Sequence, residues 1–178
     1  KSAFHAGMCV ECAWALIRRA QSGHFHHTPI RALIIPSMCN IDFSVGFIID
    51  RDKLCEYIMT SQPGMWLLDT SGYTGVNIKV PMTNDISELG IMKRVWDNDD
   101  GGGSWNTSFT TYNEYVDTMS PATKCATLSK TRYNTFLVFH SGHIIMSGVT
   151  IECMQPVYRA FHTMIIDARD RIEERLLS

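Results

Sequence analysis

The segment Phe136-Leu-Val-Phe-His-Ser-Gly-His-Ile-Ile-Met-Ser-Gly148 constrains the fold more than any other part of the chain. It reads as two strands joined by a tight turn at Ser141-Gly142, and a long amphipathic helix follows. Side chains on a strand alternate between faces. Phe136 and Val138 therefore share one face, and Leu137 and Phe139 share the other. Phe139 sits beside the turn, where a side chain can project from the rim of a sheet.

The flanking sequence supplies further elements. Val10, Ala13, Trp14 and Ile17 recur at helical spacing, Arg18 and Arg19 follow, and Gly23 stops the pattern, so Val10–Gln21 is read as a helix. His24–Pro29 is read as a loop. Ile30–Ile35 is an apolar strand, and Ile41–Ile49 is a second extended segment or a bulged continuation of it. Asp50 is placed to cap a helix over Arg51–Ser61. Gln62–Gly64 and Ser71-Gly72 are turns that bracket a strand at Met65–Asp69, and Tyr73–Val80 is the next strand. Thr83 to about Thr123 is read as an insertion, largely loop, with a short helix near Ile86–Trp96. Arg132–Phe139 and His143–Ser147 are the hairpin strands. Met154–Leu177 is the final helix, with Val157, Phe161, Met164, Ile165, Ala168, Ile172 and Leu176 on one stripe and Pro156 in its first turn.

An apolar content of 45% fits a globular chain and is too high for a disordered one. No apolar run reaches the roughly 20 residues of a membrane helix. The first residue is Lys1, and Lys1–Gly7 has no signal-peptide core, so the chain reads as a fragment or as processed upstream. Net charge is −2, but residues 81–123 alone hold two basic against seven acidic side chains. The remainder holds fourteen basic and eleven acidic, a mildly basic balance that allows modest phosphate attraction. Six cysteines without a dense framework read as reduced thiols of an intracellular protein.

Catalytic and metal motifs are weak. Cys9 and Cys12 with His24 and His27 approximate a zinc-finger spacing. The two histidines are too close together, and the helix starts at the cysteines, so structural residues are the plainer reading. Asp97, Asp99 and Asp100 before Gly101 lack the distal Glu of a calcium loop. Gly101–Gly103 lacks the Lys-Ser/Thr of a phosphate loop. No Cys/His signature singles out a nucleophile. No catalytic residue, metal ligand or cofactor is expected.

The order strand, helix, four strands, long helix from Ile30 onward, together with the hairpin and Tyr73-Thr-Gly-Val-Asn-Ile-Lys-Val80, resembles one repeat of the TATA-binding protein family. That resemblance covers about Ile30–Val80 and Arg132–Leu177. It implies an α+β fold, a curved antiparallel sheet with helices packed on its convex face, and a concave face that lies in the minor groove of DNA. In the family, aromatic wedges open base steps there. By that likeness Tyr73 and Phe139 would be the wedges, and Asn40 and Ser147 base-edge donors. Ile145 would contact the groove floor, Lys79 and Arg132 would bind phosphates, and His143 stands where the family usually has Lys. Lys130 is a further candidate for phosphate. Lys1–Gly7 loosely echoes His143–Gly148, which would make residues 1–29 the C-terminal end of a first repeat and 30–178 a second repeat carrying the acidic insertion.

The chain departs from the family at Tyr73, at His143 and above all at Asp42, which falls where the family has an apolar groove-floor residue. Its divergent style resembles the TATA-binding-like proteins of large DNA viruses. The function so implied is a transcription initiation factor that binds and bends A/T-rich promoter DNA. It would be an intracellular protein of the nucleus or a viral replication site. Its partners would be double-stranded DNA and a transcription factor B-like initiation factor or RNA polymerase, with no membrane. Two rivals are an interaction module that has lost DNA binding and an accessory nucleic-acid-binding domain of a larger enzyme.

Overall fold

A computed structural model describes residues 3–20, 30–61, 66–69, 75–83, 85–97 and 103–175. In chain order the elements are α1 (Ala3–Ala20), β1 (Ile30–Ile34), β2 (Cys39–Ser44), α2 (Arg51–Ser61), β3 (Leu67–Asp69), β4 (Gly75–Pro81), β5 (Gly90–Asp97), β6 (Ser104–Thr111), α3 (Tyr112–Asp117), α4 (Pro121–Ser129), β7 (Tyr133–Phe139), β8 (His143–Gly148), α5 (Ile151–Asp167) and α6 (Arg169–Ile172). The fold is α+β, with two antiparallel sheets. Packing divides the chain into two units, Lys1–Pro36 with Asp85–Lys130 and Ser37–Asn84 with Thr131–Ser178.

The first unit is a three-stranded sheet of order β1-β5-β6. Trp14 of α1 is buried and meets Trp96 edge-on at 6.3 Å. Gly7 brings the helix close to Ile34, Met92 and Arg94, where a Cβ would already be in contact. Arg94 pairs with Glu11 and lies over the Trp105 ring at 5.8 Å, so its charge is compensated although the side chain is only 15% exposed. On the opposite face of β5, Ile91 packs with Tyr112 and Val116 of α3. A capping box starts α3: the Thr111 hydroxyl accepts from the Glu114 amide, and the Glu114 carboxylate accepts from the Thr111 amide. A bond from the Thr110 hydroxyl, and then the one from the Thr111 amide, hold the Glu114 carboxyl below its ordinary range.

Three expectations change in this unit. The helix expected from Val10 begins at Ala3, so Ala3–Gly7 are helical and do not repeat the strand of His143–Gly148. Ile86–Trp96 is not a helix: Gly90–Asp97 is the central strand, paired along its length with β6 and over Ile30–Ile34 with β1. The segment expected to be largely loop thus carries two strands and two short helices, and it clusters with residues 1–36. Its Met92, Arg94 and Trp96 alternate with Ile91, Lys93 and Val95, a strand pattern with side chains packed on both faces.

The second unit is a five-stranded sheet of order β2-β8-β7-β4-β3. Chain order runs strand, helix, four strands, helix. The first and last strands pair at one side of the sheet, Cys39–Ser44 against Gly148–His143. One face carries Ile144, Met146, Phe136, Val138, Val76, Ile78 and Val80, packed in one core with Leu54 and Ile58 of α2 and Met154, Phe161 and Ile165 of α5. Phe136 and Phe161 stack with centroids 3.9 Å apart, and Trp66 meets both rings edge-on. Each large side chain so buried contributes about 1.5–3 kcal/mol of transfer free energy. Asp50 caps α2 as expected, its Oδ1 accepting from the Asp52 and Lys53 amides at 3.1 Å.

The strands expected at Met65–Asp69 and Tyr73–Val80 are seen as Leu67–Asp69 and Gly75–Pro81. The expected turns at 62–64 and 71–72 lie outside the described residues. Strands β1 and β2 are not one bulged strand, since they belong to different sheets. The C-terminal helix starts at Ile151, where the Thr150 hydroxyl accepts from the Cys153 amide. Pro156 therefore lies inside α5, not in its first turn, and deprives the Glu152 carbonyl of a helical donor. The β7–β8 turn spans His140-Ser141-Gly142, with Gly142 at φ +79° and its amide donating to the Phe139 carbonyl at 3.0 Å. A three-residue loop ending in a left-handed glycine is one of the common hairpin connections.

Candidate functional site

The face of the five-stranded sheet opposite α2 and α5 carries the residues left out of the core. Alternation puts Asn40, Asp42 and Ser44 of β2 there, all exposed, while Cys39, Ile41 and Phe43 turn to the core. The same rule assigns His143, Ile145 and Ser147 from β8, Tyr133, Thr135, Leu137 and Phe139 from β7, and Asn77 and Lys79 from β4.

Register turns these strands into rows. Asn40 lies opposite Ser147, Ser147 opposite Thr135, Thr135 opposite Lys79, and Lys79 opposite Leu67. The neighbouring row runs Asp42, Ile145, Leu137, Asn77, Asp69. Phe139 ends β7 opposite Gly75, and His143 begins β8 opposite Ser44. The hairpin brings Phe139 and His143 to 6.3 Å between ring centroids. One row is thus polar and donor-bearing, with a lysine towards one edge. The next has an apolar centre, and an aromatic ring stands where the hairpin turns.

Gly75 gives the Phe139 end its shape. A Cβ there would come 2.7 Å from the Val138 carbonyl oxygen, so β4 approaches β7 too closely for any side chain. Asp42 is not alone on its row. Its Oδ1 lies 2.6 Å from His143 Nε2, diagonally across β2 and β8, with the side chains 61% and 47% exposed. The turn is tied down behind them. The Val45 amide donates to the Gly142 carbonyl, the Ile49 amide to the His140 carbonyl, and His140 Nε2 lies 2.5 Å from Glu174 Oε2. The Glu173 carboxyl, held by Arg169 through bonds of 3.0 and 3.1 Å, is pushed below its ordinary range.

Of the residues singled out from the sequence, Asn40, Lys79, Phe139, His143, Ile145 and Ser147 fall on this one face. Arg132 precedes β7, where its carbonyl accepts from the Met82 amide at 2.9 Å. Tyr73 lies outside the described residues, as do His24 and His27 of the zinc-like spacing. Lys130 ends α4 in the other unit. Cys9 and Cys12 are exposed on α1, and all six cysteines are unpaired. Among the described residues no three His, Cys, Asp or Glu side chains gather as a metal site would require. None of the described helices is long and apolar enough to cross a membrane.

Leu137, Thr135 and Asn77 join the face without having been named as site residues. Leu137 was within reach, since alternation already put it with Phe139. Asn77 follows from Lys79 by the same rule. The Asp42–His143 pair needed the β2–β8 register, which no local pattern reveals. Two clefts, one along α4 at Pro121, Lys124 and Leu128, the other at Lys53, Tyr57 and Arg171 of α2 and α6, include no residue of the open face. The face carries donors, an apolar strip and a rim aromatic. Comparison of the chain with protein-family models, curated proteins and solved structures gave no match.

Proposed function

We propose that the open face of the five-stranded sheet binds the minor groove of DNA, and that the chain is a TATA-binding-protein-like initiation factor that bends A/T-rich promoter DNA. The observation that carries this reading is the coincidence of connectivity and register. The order strand, helix, four strands, long helix accompanies a sheet whose face away from α2 and α5 gathers Asn40 beside Ser147, Ile145 beside Leu137, and Phe139 at the hairpin. In this reading the sheet is the curved sheet of that family, with its helices on the convex side.

The chemistry fits the groove. A·T pairs present only acceptors there, so the Asn40 amide and the Ser147 and Thr135 hydroxyls are suitable donors. Leu137 and Ile145 would cover the groove floor, and Phe139 would wedge into a base step. Unstacking costs a few kcal/mol per step, which contacts along the bent duplex must offset. Lys79 and Arg132 would meet phosphates, a small cationic contribution that predicts weak salt dependence. The helical face, where Met59 and Ile166 are exposed, would receive a transcription factor B-like protein or RNA polymerase.

A second reading, a protein-interaction module without DNA binding, is favoured by the exposed Asp42 carboxylate beside Ile145. Binding to an A·T-rich and a G·C-rich duplex, measured by fluorescence anisotropy in a salt series, separates the two. The DNA reading expects A·T preference that Phe139→Ala weakens by more than about 1 kcal/mol. Absence of binding at low salt, or equal binding of both duplexes unaffected by the substitution, would leave the interaction module.

A further inference from the structure

We infer that Asp42 reads the exocyclic 2-amino group of one guanine, so that the preferred site is A/T-rich with a single G·C pair at a fixed position. This inference rests on the DNA-binding reading above and specifies the sequence which that face would select.

The minor groove carries one donor only, the 2-amino group of guanine, among acceptors. A face built solely of donors and apolar groups would reject it everywhere. This face is not so built. Asp42 stands in the row of Ile145 and Leu137, two residues along β2 from the donor Asn40, with its side chain 61% exposed. An ionised carboxylate is an acceptor only, so facing an A·T pair it would meet acceptors and leave its own lone pairs unpaired, at a cost. Facing guanine it gains the one donor the groove offers.

His143 makes the arrangement workable. Its Nε2 lies 2.6 Å from Asp42 Oδ1 on the neighbouring strand. That contact engages one carboxylate oxygen, and Oδ2 remains as an acceptor. Ser44, opposite His143, and Ile145, opposite Asp42, complete the surroundings, and neither competes as a cation for the carboxylate. Asp42 is thus an acceptor set beside the donors Asn40 and Ser147, the complement of one guanine among A·T pairs.

Modified bases isolate the group. A duplex of A·T pairs is bound at low salt, and single A·T pairs are replaced in turn by 2,6-diaminopurine·T, which adds only the 2-amino group. In a parallel series each single G·C pair is compared with inosine·C, which removes it. The expected result is one position at which the amino group strengthens binding by about three- to ten-fold, the worth of one hydrogen bond, while it weakens binding elsewhere. In Asp42→Val that position should lose its preference and A·T binding should be kept or improved. Asp42→Asn, which keeps one acceptor oxygen, should lie between them. Circular dichroism checks that each exposed-site variant is folded.

If the A·T duplex binds and no position favours the amino group, or if the preference survives Asp42→Val, the assignment is overturned and the DNA reading stands. If no duplex binds at all, both fall.

Discussion

Two glycines of the second unit have the same backbone twist and different surroundings, which makes a controlled perturbation. Gly46 has φ +81° and Gly142 φ +79°, both left-handed. A Cβ on Gly46 would meet nothing within 4 Å, whereas one on Gly142 would overlap the Phe47 carbonyl oxygen. Gly46→Ala should therefore cost only the left-handed penalty, about 1 kcal/mol. Gly142→Ala carries the same penalty plus relief of a clash with backbone, which forces a shift worth about 1–3 kcal/mol more. The shift has nowhere easy to go. The Gly142 carbonyl accepts from Val45, its amide donates to Phe139, and the His140 carbonyl accepts from Ile49. Urea unfolding followed by circular dichroism measures both variants against the parent. For a chain of this size each kcal/mol moves the melting temperature by about 2–4 °C. The two costs should differ by at least about 1 kcal/mol, with Gly142→Ala the larger. Equal losses would refute the claim that the close approach to Phe47, and not backbone twist alone, fixes the hairpin carrying Phe139 and His143.

Further outcomes follow from the same structure. Phe161→Ala removes the ring stacked on Phe136 and should cost about 3–5 kcal/mol in urea unfolding. A loss under about 1 kcal/mol would mean that the stack is not central to the core. Pro156→Ala returns a donor to the Glu152 carbonyl and should raise stability by about 1–2 kcal/mol after the gain in unfolded-chain freedom is deducted, so an unchanged or lower urea midpoint would contradict the helix assigned there. Asp50→Ala removes the cap of α2 and should cost about 1 kcal/mol at pH 7. The amide of Lys53, and then its ammonium group, hold the Asp50 carboxyl below its ordinary value. The folded value being the lower, this contribution is complete above the unfolded carboxyl range near about pH 4 and is lost as pH falls through the folded value. The gap between variant and parent should therefore close in acid, and a gap that widened there would reverse the assignment.

The hairpin was legible because its information is local. Alternation of Phe136, Leu137, Val138 and Phe139 sorts their faces without any knowledge of partners, and Ser141-Gly142 marks the reversal. Asp50, Arg51–Ser61 and the stripe through Phe161 and Ile165 were readable for the same reason, whereas the helix expected to run to Leu177 stops at Asp167 and Ile172 belongs to the short α6. Strand β5 was not. Its apolar residues fall on both faces because α1 and α3 cover it from opposite sides, and such a strand resembles a buried helix segment until its partners are known. Its partner β1 lies far away in sequence, before the whole of β2–β4. The start of α5 was misplaced because Pro156 suggested a first turn, while the effective signal was the Thr150 cap. At the site, the family resemblance named Asn40, Lys79, Phe139, His143, Ile145 and Ser147, which strand alternation puts on one face, but the pairing of Asp42 with His143 arises from the register of β2 on β8.

The claim that the open face grips and bends DNA is tested most directly by energy transfer between dyes at the two ends of an A·T-rich duplex, titrated with protein. Bending predicts a saturable rise in transfer with wild type, diminished by Phe139→Ala at matched saturation, as removal of a wedge requires. Saturated binding with unchanged transfer, or no binding by wild type, would contradict the claim.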